Sequence, residues 1–167
     1  ELKQQGEIGN LGISVYQPDE FRRAMDHPEM AWIQAPFNVF DQNLNKQDFF
    51  EEAVKNGKRV FLRSVFLQGL LLMEPDSLPS AMDSASTAIK EWRTLCHRHD
   101  LSPIKAALCF VLTSAPDCEV VIGCETKFQV EEIIEAVRMN LPNDEFLAAA
   151  KALHTDDPNL INPSKWQ

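Results

Sequence analysis

Arg59-Val60-Phe61-Leu62-Arg63-Ser64-Val65-Phe66 is an apolar run of strand length, and it begins just after Gly57, a residue suited to close a helix. Its centre, Val60-Phe61-Leu62, is uninterrupted by polar residues, as expected for a strand buried on both faces of a parallel sheet. The residues before it, Asp48 to Asn56, predict the helix that Gly57 closes. The unit is therefore helix, turn, buried strand, and the question is whether the chain repeats it.

It does, in both directions. Upstream, Asn10-Leu11-Gly12-Ile13-Ser14-Val15-Tyr16 predicts a first strand, Pro18-Asp19-Glu20 opens a helix with acidic residues in its first turn, and Met30 to Phe37 predicts a second strand. Downstream, a linker from Met73 to Pro79 leads to a helix from about Ala81 to Arg98, and Ser102-Pro103 opens another that runs to about Ser114. Glu119-Val120-Val121-Ile122-Gly123 predicts the fourth strand, Thr126 caps a helix reaching about Met139, and a further helix spans about Asn143 to Leu153. The tail from Asp156 to Gln167, with Pro158 and Pro163, is expected to be extended, and Glu1 to Gln5 reads as the tail of a helix whose start is missing, so the chain looks cut from something longer. Four strands separated by helices define the α/β class, with right-handed crossovers and a parallel sheet. One domain spans 1–167: four βα units over 1–142, then a C-terminal helix and tail over 143–167.

Composition narrows the function. A net charge of −9 and 25 charged acidic side chains against 16 basic ones disfavour a nucleic-acid surface or an anionic membrane as partner. No stretch approaches the roughly 20 apolar residues of a membrane helix, and four irregularly spaced cysteines (Cys96, Cys109, Cys118, Cys124) are the usage of a reduced, cytoplasmic protein without disulfides. Against the apolar strands stand four polar residues, Ser14, Gln34, Arg63 and Ser64. Ligands of parallel sheets sit at the carboxyl ends of the strands, so each of the four is either a site residue or a satisfied core group.

Four motifs in one order carry a family resemblance: Gly12-Ile13-Ser14-Val15, Ile33-Gln34-Ala35-Pro36-Phe37-Asn38, Arg63-Ser64-Val65-Phe66-Leu67-Gln68-Gly69-Leu70-Leu71 and Val121-Ile122-Gly123-Cys124-Glu125-Thr126. In order and spacing the chain resembles the aldo/keto reductases from about Gly6 to about Pro142. The resemblance implies a (β/α)8 TIM barrel of which these strands are the fifth to eighth, the C-terminal half. It also implies an NAD(P)-dependent oxidoreductase that moves hydride to a carbonyl or from an alcohol, with NADP or NAD as cofactor.

Carried over residue by residue, the resemblance places Ser14 and Gln34 at the nicotinamide carboxamide. Arg63 takes the position of an aromatic residue that stacks on the nicotinamide, or pairs with a core carboxylate. Ser64, Phe66, Leu67, Gln68 and Gly69 would wrap the pyrophosphate, and Gly123, Glu125, Thr126 and Gln129 would meet the adenosine end. Three positions depart from the family pattern: Val15 and Ile133 replace asparagines, and Glu125 stands where a basic residue holds the 2′-phosphate of NADPH. A carboxylate accepts a hydrogen bond from a free ribose 2′-hydroxyl, which keeps NAD open beside NADP unless Lys127 takes the phosphate.

The family's catalytic Tyr, Lys, Asp and His belong to the first four strands, and no segment here matches them; Tyr16, the one tyrosine, is expected to pack locally. The chain alone is therefore expected to be inactive. Cys96-His97-Arg98-His99 reads as a solvated helix end rather than a metal site, Asp41 as a turn residue, and Asp156-Asp157 as solvated. Two other readings stand beside the enzyme half: a nucleotide-binding or regulatory relative without turnover, and an unrelated open α/β domain that folds as a stable monomer. The half-barrel reading differs from the last in leaving two open sheet edges, which predict a homodimer or marginal stability.

Overall fold

A computed structural model describes residues 2–138 and 143–166; the expected helix end at Met139, as well as Pro142, Glu1 and Gln167, lies outside them. Strands β1 (Leu11–Ser14), β2 (Met30–Pro36), β3 (Arg59–Arg63) and β4 (Glu119–Val120) form one parallel sheet in the order β1-β2-β3-β4. Helices α1 (Pro18–Asp26), α2 (Phe49–Lys55), α3 (Ser86–Arg98), α4 (Pro103–Ser114), α5 (Lys127–Arg138), α6 (Asp144–Ala152) and α7 (Pro158–Ile161) complete the described elements. The order of elements and the sheet agree with the α/β expectation.

The boundaries differ where local chemistry intervenes. β3 stops at Arg63 instead of running to Phe66, because Ser64 adopts a left-handed φ of 61° that no strand accommodates. β4 is shorter than expected, although the Val121 amide still donates to the Leu62 carbonyl at 2.8 Å. Residues 80–85 form 3₁₀ turns ahead of α3, a stretch whose serines compete with the helix for backbone partners. The tail is not extended: Asp157 caps α7, Asn162 caps a 3₁₀ turn over Pro163–Lys165, and each proline sits at the first helical position where its missing N–H costs nothing. At the other end, the Gly6 amide bonds the Lys3 carbonyl and the Glu7 amide the Leu2 carbonyl, with Gly6 at φ 75°, the bonding pattern that closes a helix.

Register decides which side chains share a face. Ile33, Ala35, Val60 and Leu62 point one way and are buried under the helices, where Phe21, Phe37, Phe50 and Phe110 extend the core. Their neighbours Trp32, Gln34, Arg59, Phe61 and Arg63 point the other way, onto a face with no helix over it among the described residues. The strands are apolar on both faces, as expected, but one face lies open: Val121 is 45% exposed, and Phe61 packs edge-on to a partly exposed Trp32 at 5.8 Å. Gly12 is required by this face, since a Cβ there would lie 2.9 Å from the Cβ of Trp32.

Candidate functional site

The carboxyl ends of β3 and β4 diverge, and the loops that leave them enclose a cleft of about 590 Å³. One wall is the loop after β3. Ser64, Leu67 and Gln68 all hold positive φ (61°, 48° and 51°), followed by Gly69 at 88°. Left-handed backbone at three non-glycine residues costs on the order of 1–3 kcal/mol each and persists only where surrounding contacts enforce it. The Ser64 carbonyl accepts from the Leu67 amide at 2.9 Å, and the Phe66 carbonyl from the Gly69 amide at 2.9 Å, so the chain doubles back tightly. The amides of Val65 and Phe66, both in the cleft wall, meet no acceptor among the described residues.

The other wall is the start of α5. Thr126 and Gln129 cap it reciprocally: the Thr126 hydroxyl accepts from the Gln129 amide at 3.2 Å, while the Gln129 side-chain oxygen accepts from the amides of Glu125 (2.7 Å) and Thr126 (3.2 Å). This capping occupies the side-chain oxygen of Gln129, a residue expected at the adenosine end, and leaves its NH₂ group. Glu125 and Glu132 line this wall, and no Lys or Arg lines the cleft among the described residues. Lys127 lies outside it, paired with Glu131 at 3.3 Å on the solvent side.

Of the residues expected at a dinucleotide site, Ser64, Phe66, Gln68 and Gly69 come together with Gly123, Glu125 and Gln129 in this cleft. Thr126 stands behind it as the helix cap. Ser14, Gln34 and Arg63 do not line it; they run along the open face at the strand ends. There the Ser14 hydroxyl donates to the Gln34 side-chain oxygen at 2.9 Å, and the Arg63 guanidinium lies 4.3 Å over the Tyr16 ring. Arg63 also donates to the Ser64 hydroxyl (3.1 Å) and the Val15 carbonyl (3.5 Å). It forms no ion pair among the described residues, but its charge acts on the buried carboxyl of Asp41, with which it shares a cavity, and Tyr16 packs locally as expected.

Arg63 and Ser64 also border a smaller cavity of about 150 Å³ shared with Tyr16, Asp41 and Asp156. Asp41, expected as a turn residue, is nine-tenths buried; desolvation pushes its carboxyl up to about 6, with the Asn43 amide and the Arg63 charge opposing the rise. Asp157 caps α7, and Asp156 pairs with His154 at 3.1 Å. Cys96 is buried in α3 and its thiol is pushed up to about 12 by burial, unlike a metal-ligating thiolate.

Sequence reasoning missed Ile104 and Glu132 in the cleft wall. Glu132 falls three residues after Gln129, one turn along the same face of α5, so helical periodicity carries that signal. Ile104 arrives from α4 by tertiary packing and has no local signature.

A parallel α/β sheet with a strand-end cleft, walled by a left-handed loop and a capped helix start, belongs to the large class of barrel-type and doubly wound ligand-binding folds. The match within that class is specific: the model of the aldo/keto reductase family covers residues 1–153, and the chain belongs to that family. It is 24% identical over 155 residues to the NADH-specific methylglyoxal reductase of Escherichia coli (strain K12), a match that covers 84% of this chain and 47% of that protein. Its fold resembles the aldo-keto reductase AKR11C1 from Bacillus halodurans (TM-score 0.70, 20% identity, 99% of this chain and 57% of the other). It also resembles the glycerol dehydrogenase AKR11B4 from Gluconobacter oxydans (TM-score 0.68, 24% identity, 91% and 50%). The chain thus spans about half the length of the curated relative it matches.

Proposed function

We propose that this chain is the dinucleotide-binding, C-terminal half of an oxidoreductase that prefers NADH and acts on a small carbonyl or alcohol. The observation that carries the reading is the cleft itself: Val65 and Phe66, whose amides meet no acceptor among the described residues, on one wall, and Glu125 and Glu132 on the other. Backbone amides presented by a left-handed turn suit a pyrophosphate without needing net positive charge. A bare carboxylate at the far end repels a 2′-phosphate and accepts from a 2′-hydroxyl, and Lys127, the candidate phosphate ligand, lies outside the cleft and pairs with Glu131. The methylglyoxal reductase relative, described as NADH-specific, agrees with that preference.

In this reading Ser14 and Gln34, already bonded to each other, would orient the carboxamide with the Gln34 NH₂ group. The bound nicotinamide supplies the hydride. Tyr16, the one tyrosine of this chain, lies under the Arg63 guanidinium, so in this reading acid-base chemistry falls to four further strands and the chain alone is expected to be inactive. Those strands would cover the open face; a second copy of this chain is the alternative cover, and sedimentation distinguishes a monomer from such a homodimer.

Fluorescence titration with NADH and NADPH tests the cofactor choice. NADH is expected to bind more tightly, and Glu125→Lys to shift the ratio toward NADPH by about tenfold, the scale of one charge contact. Equal affinity for both nucleotides before and after the substitution overturns the assignment of Glu125.

A further inference from the structure

The strained loop after β3 needs something to hold it; among the described residues Arg63 reaches only its Ser64 hydroxyl, and one side chain, Asn38, hydrogen-bonds the backbone of residues 64–69. Asn38, two residues past Pro36, the last paired position of β2, is fully buried and lines neither cavity. Its side-chain oxygen accepts from the amides of Phe40 and Asp41, both at 3.0 Å, and so shapes its own turn. Its NH₂ group does something separate: it reaches 26 residues along the chain and donates to the Ser64 carbonyl at 3.2 Å. That carbonyl also accepts the Leu67 amide, so Asn38 fixes the pivot on which residues 64–69 reverse.

The turn that presents Asn38 is itself anchored. The Gln42 NH₂ group donates to the carbonyls of Val39, Ala150 and Lys151, and the Phe40 carbonyl accepts from the Thr155 amide at 3.0 Å. A rigid base therefore stands behind the Asn38 amide, and the left-handed conformation of Ser64 stands in front of it.

We propose that Asn38 is a positioning residue for nucleotide binding: through the Ser64 carbonyl it holds the 64–69 loop in the shape that presents the Val65 and Phe66 amides to the cleft. This rests on the dinucleotide reading above. Loss of the NH₂ donor lets Ser64 relax out of its left-handed well, and the amides turn from the cleft while the covered core stays packed.

The two functions of Asn38 separate by substitution. Asn38→Asp preserves size and the oxygen that shapes the 38–41 turn, and removes the donor. Asn38→Ser can still accept from the turn amides and is too short to reach Ser64, which provides a second variant should the buried carboxylate prevent folding. Each is expected to weaken NADH binding to the full chain by about tenfold, the loss of roughly one hydrogen bond, and to raise hydrogen exchange across 64–69 while exchange in β2 and α4 is unchanged. Ser64→Gly, which removes the left-handed penalty, should shrink the Asn38→Ser effect on exchange in the double variant. NADH affinity within twofold of the parent together with unchanged or uniformly raised exchange in the Asn38→Ser chain overturns the proposal. Failure of the parent chain to bind NADH removes the dinucleotide reading instead, and the proposal of a nucleotide-positioning role with it, while the exchange pattern still reports whether Asn38 holds the loop.

Discussion

The two faces of the sheet are built from alternate residues of the same strands and have opposite fates. On the covered face, Ile33, Ala35, Val60 and Leu62 are at most 1% exposed and meet a layer of helices. On the open face, Trp32 is 36% exposed, Arg59 holds Glu119 by two hydrogen bonds of 2.7 Å, and Arg59 also lies over the Trp32 and Phe61 rings at 5.4 and 5.2 Å. A parallel sheet ordinarily buries both faces. The difference teaches that stability resides on one side of this sheet, while the other side is held by contacts made in water.

The largest expected effect follows from that assignment. Leu62→Ala empties a fully buried position between the sheet and its helices, and should cost roughly 2–5 kcal/mol, a large part of the stability of a typical domain. A fall in the urea midpoint at unchanged slope measures it. A loss under about 1 kcal/mol would mean that the covered face is not the seat of the core and would break the contrast between the faces.

Asp41 tests the junction where the loop after β2 passes beneath Arg63. Burial raises its carboxyl to about 6, well above the usual value near 4, so the folded chain holds a proton that the unfolded chain releases. The stabilisation from this group is therefore full below about pH 4 and is lost as pH rises through about 6. Asp41→Asn, which keeps the shape without the charge, should raise stability at pH 7 by roughly 2–3 kcal/mol, with the gain vanishing by pH 4. Thermal melts of both chains across that range check it, and a gain that grows toward low pH would show the opposite sign.

How much of this was legible before the fold was known follows the range of the interactions involved. Val60, Leu62 and Ile33 announce buried strands because β-rich apolar runs between turn residues are a local signal, and Ser102-Pro103 announces a helix start that the Ser102 hydroxyl does cap, accepting from the Lys105 amide at 3.3 Å. The cleft was legible through the order of its motifs, Ser64 to Gly69 and Gly123 to Gln129. Phe61 and Val121 were legible as apolar strand residues and not as uncovered ones, since composition shows that a residue is apolar and not whether anything covers it. The left-handed Ser64 and Leu67 gave no warning either, because glycine marks such backbone in a sequence and here a distant asparagine amide enforces it. The same holds for the tail, where Asp157 and Asn162 before prolines are cap signals that the prolines alone obscured.

The smallest effect sharpens the contrast most. Arg59 and Glu119 are 54% and 47% exposed, and an ion pair in that setting contributes about 0–1 kcal/mol even with paired hydrogen bonds. Arg59→Ala should therefore shift the urea midpoint of the isolated chain only slightly, with a further fraction lost from the guanidinium's contact with the Trp32 and Phe61 rings. Salt should reduce the effect, because exposed charges are screened. A cost above about 2 kcal/mol that resists salt would require the pair to be out of water, since only desolvation makes the loss of one partner that expensive. The open face would then be covered in solution, and iodide quenching of Trp32, read in a Trp166→Phe chain where the other tryptophan, Trp92, is fully buried, would be weak and recover on dilution if the cover is a second copy.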